Sequence, residues 1–467
     1  MSRLMLHRYP AYRDSGLPWL GRIPAHWEVH RNGRLFAERR ETADPTLPIL
    51  EVSLRTGVRV RNLENGARKQ VMADRSKYQR ARAGDIVYNT MRMWQGAVGV
   101  APADGLVSPA YVVARPRPDV EPRYYAYLFR TGVYLQQVEI ESRGIVPDRN
   151  RLYWDAFKRM PSVYPPAEDQ HAIAAFLDAH GHLGRRFERA KRKLVVLLEE
   201  QKNLLIRRAV TCGMSETAVR GPAGVPWMSE APLHWRRRHL GREVDILSGY
   251  PFDASCFGTE RGHQVVRIRD IGSTTTSVLY DGSDVPEARI YPGDLLVGMD
   301  GDFNVALWRG ESALLNQRVC CIRPHASIDR DYLAYLLPLP LQWINDTTFS
   351  TTVKHLSTTD IRCLRLPLPD LAEQRAIVDY IRSSTRSLEQ AQDRVRAEIA
   401  LAREYHERLV ADVITGRLDI RHTVDDLVLA TVADESGLHE DDVDEDVADA
   451  MELGDDEAAQ EPVEVDS

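Results

Sequence analysis

The sequence predicts an α+β protein in which two duplicated, mixed α/β domains are joined by two long, antiparallel, coiled-coil-like helices under pseudo-two-fold symmetry. Three observations lead to this fold class: a long internal repeat, a loss of glycine and proline at the end of each repeat, and a heptad pattern in the segments that follow. Solenoid repeats recur every ~20 to 50 residues. This repeat recurs only after roughly 200, which indicates a duplicated domain.

The repeat is clearest at its opening. Residues 16–27 (GLPWLGRIPAHW) return as residues 224–235 (GVPWMSEAPLHW), and the correspondence continues from ARPRPDVEPRYYAYLF to IRPHASIDRDYLAYLL and from EDQHAI to AEQRAI. Each half therefore has its own trailing segment. A duplication within one chain favours two related binding faces that can vary independently.

Short strands separated by Gly, Pro and Asp turns are predicted in each half. Strand-like runs lie at residues 48–52, 111–114, 265–268, 294–297 and 318–322, and the AYLF and AYLL sequences are typical of short helices. The predicted segments are a first domain (1–165), a first long helix (166–215), a second domain (216–369), a second long helix (370–420) and an acidic tail (421–467).

Apolar residues step in alternating threes and fours along both helical segments, which is a heptad pattern. Each segment would extend about 67 Å at 1.5 Å per residue. The predicted seam between the helices consists of Phe176, Leu183, Phe187, Leu194, Leu197, Leu204, Ile377, Ile381, Leu388, Val395 and Leu409. An alternative is that each is a core helix of its own domain. If the helices pair, they hold two modules at a fixed distance.

The formal net charge of −7 conceals a basic body. Residues 421–467 hold 18 Asp and Glu and one basic residue, Arg421, so residues 1–420 carry 60 Lys and Arg against 50 Asp and Glu. An arginine-rich body of this kind favours polyanions such as DNA, although solubility alone could explain the charge. The tail is interpreted as a disordered solubilising extension or as a DNA mimic that competes for the body.

The sequence contains no recognisable catalytic motif. It has no GxGxxG, no phosphate-binding loop, no HExxH and no GxSxG, and its one Pro-Pro pair is followed by Ala-Glu rather than by an aromatic residue. Five scattered cysteines suggest neither disulfides nor a zinc site. His180 and His182 point in different directions on a helix, so no metal is predicted. Without a signal peptide or an apolar span, a cytoplasmic protein with no membrane association is expected.

The ordered set of motifs, present twice, resembles the specificity subunit of Type I restriction-modification systems. The resemblance covers about residues 8–420 and rests on phrases such as IPAHWEV, GLVSPAYVV and PPAEDQHAIAAFLD in the first half, and SGYPFDAS, GDLLVGMDGDFN and LPDLAEQRAIVDYI in the second. It implies two target-recognition domains that each read one half of a split sequence in double-stranded DNA. It also implies that conserved helices dock methyltransferase subunits, two being expected, and through them restriction subunits.

The resemblance further implies that the chain is not itself an enzyme and binds no cofactor. S-adenosylmethionine, ATP and magnesium are expected on the partner subunits. Two alternatives stay open: a duplicated DNA-binding regulator with no enzyme partner, and a standalone nuclease with an acidic metal site. Co-purification of methyltransferase subunits would separate the first, and an assay of the purified chain with magnesium would separate the second.

Polar and basic loops between the strands are the predicted DNA-reading elements, because base discrimination needs donors and acceptors held by a rigid sheet. In the first domain the candidates are Arg92, Trp94, Gln95, Ser108, Tyr111, Arg143, Gly144, Arg149 and Arg151. In the second they are Tyr250, Phe252, Arg267, Arg269, Asp300, Asp302, Asn304, Asn316, Gln317, Arg318, Thr348, Ser350, Thr351 and Lys354. Arg149, Arg151 and Lys354 are assigned to phosphates, and Gln95, Arg143, Asn304 and Asn316 to base edges.

Overall fold

The computed structural model describes residues 7–42, 44–61, 75–142, 150–215, 217–258, 261–348 and 354–423. The chain divides into two compact units. The first unit comprises Met1–Ala190 together with Glu398–Ser467, and the second comprises Lys191–Ala397. The first unit is therefore assembled from both ends of the chain.

Short antiparallel strands and helices make up most of the first unit. Its strands are β1 (Tyr12–Asp14), β2 (Arg22–Pro24), β3 (Glu28–Arg31), β4 (Phe36–Glu38), β5 (Leu50–Ser53), β6 (Gly57–Val60), β7 (Gln79–Ala81), β8 (Ile86–Asn89), β9 (Val98–Val100), β10 (Gly105–Val107), β11 (Tyr111–Pro116) and β12 (Pro161–Tyr164). Its short helices are α1 (Asn32–Leu35), α2 (Pro122–Arg130), α3 (Gly132–Glu141) and α4 (Trp154–Phe157). The first long helix, α5 (Ala167–Cys212), begins here.

The second unit repeats this plan. Its strands are β13 (Arg220–Val225), β14 (Met228–Pro232), β15 (Arg236–His239), β16 (Val244–Ser248), β17 (Phe257–Gly258), β18 (His263–Val266), β19 (Leu279–Tyr280), β20 (Arg289–Ile290), β21 (Leu295–Gly298), β22 (Val305–Leu307), β23 (Ala313–Leu315), β24 (Val319–Pro324) and β25 (Arg365–Leu368). Its helices are α6 (Arg330–Leu336), α7 (Pro338–Thr348), α8 (Thr358–Cys363) and the second long helix, α9 (Leu371–Ile414), which continues into the first unit.

Three sheets of the first unit have counterparts in the second. The four-stranded antiparallel sheet β4-β11-β8-β9 corresponds to β16-β24-β21-β22, the pair β12-β3 to β25-β15, and the hairpin β1-β2 to β13-β14. The central registers also agree, since Tyr111 pairs with Asn89 and Val319 pairs with Gly298. The five-stranded sheet β17-β19-β18-β23-β20 of the second unit has no counterpart of that size among the described residues of the first.

The tryptophan of each opening motif is tied to the start of a long helix. In the first unit Trp27 Nε1 donates to Asp169 Oδ2 at 2.8 Å, and His26 Nε2 lies 2.9 Å from the same oxygen. In the second unit Trp235 Nε1 donates to Glu373 Oε1 at 3.3 Å. A carboxylate in the first turn of a helix is also favoured by the helix dipole. The repeated Trp and His are therefore structural anchors in both units.

A buried glutamine next to each carboxylate also fixes the start of the long helix. Gln170 Oε1 accepts from the main-chain N–H of Glu121, and its Nε2 donates to the carbonyl of Pro165 at 2.8 Å. Gln374 makes the same contacts with the N–H of Asp329 and the carbonyl of Pro369. The side-chain amide supplies both a donor and an acceptor, so it satisfies main-chain groups that would otherwise be buried unpaired.

Within each unit, segments of the two long helices pack side by side and antiparallel. In the first unit Glu188 forms an ion pair with Arg403, and His180 stacks on His406 with ring centroids 5.3 Å apart. In the second unit Gln392 Nε2 donates to Glu199 Oε2 at 2.9 Å. The predicted fold class, a mixed α/β duplication with two long paired helices, is confirmed.

The predicted seam is only partly correct. Five of its members are buried and three are partly buried: Phe176, Ile377, Ile381, Val395 and Leu409, then Leu183, Phe187 and Leu388. Leu194, Leu197 and Leu204 are instead 38, 51 and 67% exposed. A straight α-helix drifts by about 20° per heptad, or about 80° between Phe176 and Leu204. Leu205 is partly buried beside the exposed Leu204, so the strict heptad prediction fails in the C-terminal half of α5.

Each long helix ends at a glycine in the left-handed region that packs against an anchor tryptophan. Gly213 (φ +69°) follows α5, and a Cβ there would lie 3.3 Å from Trp235. Gly416 (φ +75°) follows α9, and its Cβ would lie 2.7 Å from Trp27 and 2.4 Å from Pro24. Only glycine fits both the backbone conformation and the close approach. No helix in the described part of the chain is both long and apolar enough to cross a bilayer.

Candidate nucleic-acid interface

Three chain segments of the second unit meet at one end of its four-stranded sheet, β16-β24-β21-β22. They are the turn after β21, the turn between β23 and β24, and the segment just after residue 353. The N–H of Met299 donates to the carbonyl of Arg318 at 2.9 Å, and the N–H of Leu356 donates to the carbonyl of Met299 at 2.7 Å. These segments carry several of the polar candidates predicted in this unit, namely Asn304, Asn316, Gln317, Arg318 and Lys354. The sheet therefore brings together residues distant in sequence.

The first unit builds the same framework with the same main-chain hydrogen bonds. The N–H of Thr90 donates to the carbonyl of Ala110 at 3.3 Å, and the N–H of Leu152 donates to the carbonyl of Thr90 at 2.9 Å. Thr90 thus corresponds to Met299, Ala110 to Arg318 and Leu152 to Leu356. The backbone is conserved between the units, whereas the side chains differ.

In the first unit the candidates surround this framework. Arg92 and Gln95 lie in the turn after β8, Ser108 and Tyr111 border the turn before β11, and Arg151 precedes Leu152. Gln95 and Arg151 are exposed, and Arg92, Ser108 and Tyr111 are partly buried. Burial, the largest influence, raises the pKa of Tyr111, so its hydroxyl keeps its proton at neutral pH and can act as a donor.

In the second unit Tyr250, Asn316, Gln317 and Arg318 lie together. Tyr250 forms a parallel bridge with Asn316, and the N–H of Gln317 donates to the carbonyl of Tyr250 at 3.0 Å. Asn304 is exposed in the turn between β21 and β22. Among the other candidates, Lys354 lies beside the same turn, Arg269 is exposed in a 3₁₀ helix, Arg267 stands at the start of that helix, and Thr348 is the last residue of α7.

Phe252, Arg267 and Trp94 have structural roles that the sequence prediction did not foresee. Phe252 is buried and its ring centroid lies 4.7 Å from that of Tyr280, so it is corrected to a core residue that supports exposed Tyr250. Arg267 is held by Asp270, whose carboxylate also accepts from the Arg267 N–H. That contact turns the chain into a 3₁₀ helix, so the predicted strand at 265–268 ends at Val266.

Trp94 packs against the core of the first unit, and its indole N–H donates to the carbonyl of Met91 at 3.0 Å. A tryptophan whose only donor is already used is better suited to supporting the turn than to reading a base. Five other candidates lie outside the described residues: Arg143, Gly144, Arg149, Ser350 and Thr351. Residues 424–467 of the acidic tail also lie outside them.

In the second unit Asp300 binds two of the neighbouring side chains, His355 and Arg318. Its Oδ1 lies 2.7 Å from His355 Nδ1, and its Oδ2 accepts from Arg318 Nη1. Burial would raise the pKa of this carboxyl group, but the hydrogen bonds from His355 and Arg318 hold the pKa below its ordinary value. Asp300 is therefore ionised at neutral pH and braces two exposed cationic or polar side chains.

His355 was not among the predicted site residues. The repeat could have identified it, because EDQHAI and AEQRAI fix an alignment in which His355 corresponds to the predicted Arg151. Among the described residues, no three His, Cys, Asp or Glu side chains are grouped as metal ligands would be.

Comparison with known proteins shows which proteins this chain is similar to. A model described as the Type I restriction modification DNA specificity domain matches residues 252–399. The EcoBI specificity subunit of a type I restriction enzyme from Escherichia coli is 37% identical over 187 residues, which are 39% of this chain and 39% of that protein. The MjaVIII specificity subunit from Methanocaldococcus jannaschii is 23% identical over 283 residues, 57% of this chain and 64% of that protein.

The match to each of these two relatives spans less than two thirds of the relative's length. Among solved structures, one from work on complex assembly and conformational transition of the type I R-M system has a TM-score of 0.62 at 18% identity. The match covers 84% of this chain and 98% of that chain. This likeness concerns the fold, and it extends over both units.

Proposed function

We propose that this chain, which is similar in sequence to specificity subunits of type I restriction enzymes, is the DNA-reading subunit of such a complex. Each unit would read one half of a split target in double-stranded DNA. The observation that carries the proposal is the shared framework at Thr90 and Met299, where identical main-chain hydrogen bonds present different side chains. Duplicated scaffolds with divergent loops suit two half-sites of different sequence.

The long helices are proposed to set the separation of the half-sites. The helix α5 contains 46 residues and α9 contains 44, so each extends about 66 to 69 Å at about 1.5 Å per residue. DNA rises about 3.4 Å per base pair. One extra helical turn in both helices would add about 5.4 Å, and should lengthen the unread gap by about one or two base pairs.

Exposed leucines on the long helices favour a second role, as docking faces for methyltransferase subunits. Leu194, Leu197 and Leu204 lie within about 80° of one another around α5, at about 100° per residue. Leu401, 66% exposed on α9, occupies the position in the repeat that corresponds to Leu197. Apolar side chains grouped on a surface mark interaction sites. The three exposed leucines of α5 and Leu401 of α9 suit contacts with two copies of a methyltransferase subunit, one on each helix, through which restriction subunits would join.

Catalysis is proposed to belong to those partners. S-adenosylmethionine would bind the methyltransferase subunits, and ATP and magnesium the restriction subunits, while this chain contributes sequence recognition. A cytoplasmic location follows from this role. The two rival functions, a regulator without enzyme partners and a standalone nuclease, predict respectively no co-purifying methyltransferase and DNA cleavage by the purified chain with magnesium.

The proposal is tested by methylome sequencing of a methylation-free host that expresses this chain with the methyltransferase subunits of its own system. The expected result is one motif split by a gap of fixed length. Methylation at a contiguous motif, or none in the presence of the co-expressed subunits, would contradict it. Insertion of one helical turn into both α5 and α9 should widen the gap without changing the half-sites.

Docking is tested separately by pull-down. Leu197→Asp should weaken capture of the methyltransferase subunit, because a charge would be buried in an apolar contact. The matched control is Leu233→Asp, an exposed leucine of the same unit that lies outside the helices. Equal capture by both variants would remove the helix face from the proposal.

A further inference from the structure

The shared framework places three side chains at corresponding positions in the two units. In the second unit they are Asp300, Arg318 and His355, and they form one hydrogen-bonded group. In the first unit the corresponding residues are Met91, Ala110 and Arg151, which cannot form such a group because they include no acceptor side chain of comparable strength. The backbone is the same and the chemistry is not, as expected where two modules read different bases.

Asp300 is positioned to brace its neighbours rather than to read a base itself. Both carboxylate oxygens already accept, Oδ1 from His355 and Oδ2 from Arg318. Its side chain is only 18% exposed, whereas that of Arg318 is 61% exposed. The less exposed carboxylate therefore anchors the guanidinium through Nη1. The remaining N–H groups of Arg318 stay exposed.

We infer that Arg318 reads a guanine in the half-site of the second unit, and that Asp300 is the residue that positions it. This inference rests on the proposed function. A guanidinium whose Nη1 is bound by a carboxylate is restrained before DNA arrives, and its remaining donors match guanine O6 and N7. An arginine that contacted only phosphate would need no such orientation, since a phosphate accepts from many directions.

His355 completes the brace from the other side of the carboxylate. Its Nδ1 binds Asp300 Oδ1, and its main chain forms an antiparallel bridge with Asp300. Arg318 and His355 therefore hold Asp300 in place from two separate chain segments. Loss of the carboxylate would free both side chains at once.

The experiment is methylome sequencing of the complete system in a methylation-free host, with four single variants, one double variant and one control. Arg318→Ala and Arg318→Lys should each relax a single G·C position, in one half-site, and leave the other half-site intact. The lysine variant keeps the charge but loses the bidentate geometry. Discrimination at that position should fall by about 5- to 150-fold, the range of one bidentate arginine–guanine contact.

Asp300→Asn should relax the same position as Arg318→Ala, and Asp300→Glu should restore part of the discrimination by returning a carboxylate. The double variant Asp300→Asn, Arg318→Ala should be no more relaxed than Arg318→Ala alone, because both act through one contact. The matched control is Arg309→Ala, an exposed arginine at the opposite end of the β21–β22 hairpin. It should leave the motif unchanged.

The outcomes separate the inference from the function on which it rests. A wild-type system that methylates no split motif would overturn both. A wild-type split motif with Arg318→Ala lowering methylation uniformly at every site would overturn the inference alone, and would assign Arg318 to phosphate. Relaxation at a different position in Asp300→Asn would overturn the positioning role of Asp300. Each variant must give the same circular dichroism spectrum as the wild-type protein.

Discussion

Replacing Gly416 by alanine should weaken the packing of the chain just after α9 against Pro24 and Trp27 in the first unit. Gly416 has a φ of +75°, and an alanine in this region costs about 1–2 kcal/mol. Its Cβ would also lie 2.4 Å from Pro24 Cδ and 2.7 Å from Trp27 Cζ3, and Trp27 is fully buried. Overpacking of this kind costs about 1–3 kcal/mol. The expected loss in the free energy of unfolding is therefore about 2–5 kcal/mol.

Gly84→Ala is the matched control in the same unit. Gly84 has a φ of +86°, but nothing lies within 4 Å of its Cβ position. It should therefore incur only the backbone cost. In a unit of this size about 1 kcal/mol shifts Tm by roughly 2–4 °C, so scanning calorimetry of the full chain should give about 2–8 °C for Gly84→Ala and roughly 4–20 °C for Gly416→Ala. Equal shifts would refute the close packing of Gly416 on Trp27.

Three further predictions concern the histidine pair between the long helices, the buried glutamine at the start of α5, and the exposed leucines of α5. Burial and the neighbouring imidazole lower the pKa of His180 to about 4, so between pH 6.5 and about 4 the unfolded chain binds a proton that the folded chain does not. Stability should fall as the pH drops through this window, by less than about 3 kcal/mol because water screens this partly exposed imidazole. The variant His180→Phe should flatten the pH dependence of Tm; an unchanged slope would contradict this. Gln170→Ala should lower stability by about 1–3 kcal/mol per main-chain group left unpaired, measured by calorimetry, and an unchanged Tm would show that water replaces the amide. Serine at Leu194, Leu197 or Leu204 should each change stability by less than about 0.5 kcal/mol, whereas a loss above about 2 kcal/mol would return that leucine to the seam.

The sequence predicts the domain organisation of this protein well, because that organisation follows from the long internal repeat. The repeat at residues 16–27 and 224–235 and the repeat of EDQHAI as AEQRAI predict two corresponding domains, each with its own trailing segment. The family resemblance stated from the same motifs is confirmed by the specificity-domain match and the named relatives. The fold class is confirmed with it.

Finer features could not be predicted, because they depend on packing geometry. Leu194, Leu197 and Leu204 fit a heptad in sequence, but a straight helix rotates them away from the partner helix. Phe252 looked like an exposed aromatic in a loop, and only its contact with Tyr280 reveals a core residue. Whether the remaining candidates contact DNA stays a prediction.

The composition of the first unit from both ends of the chain has a consequence for biosynthesis. Its core includes Leu409, Val413 and Ile414 beside Trp27 and Phe176, and the hydroxyl of Tyr124 donates to the carbonyl of Ile414. The ribosome completes the second unit, Lys191–Ala397, before these late residues emerge. The half that is synthesised first must therefore finish folding last, and until residues 409–414 emerge it exposes an apolar surface to which chaperones bind.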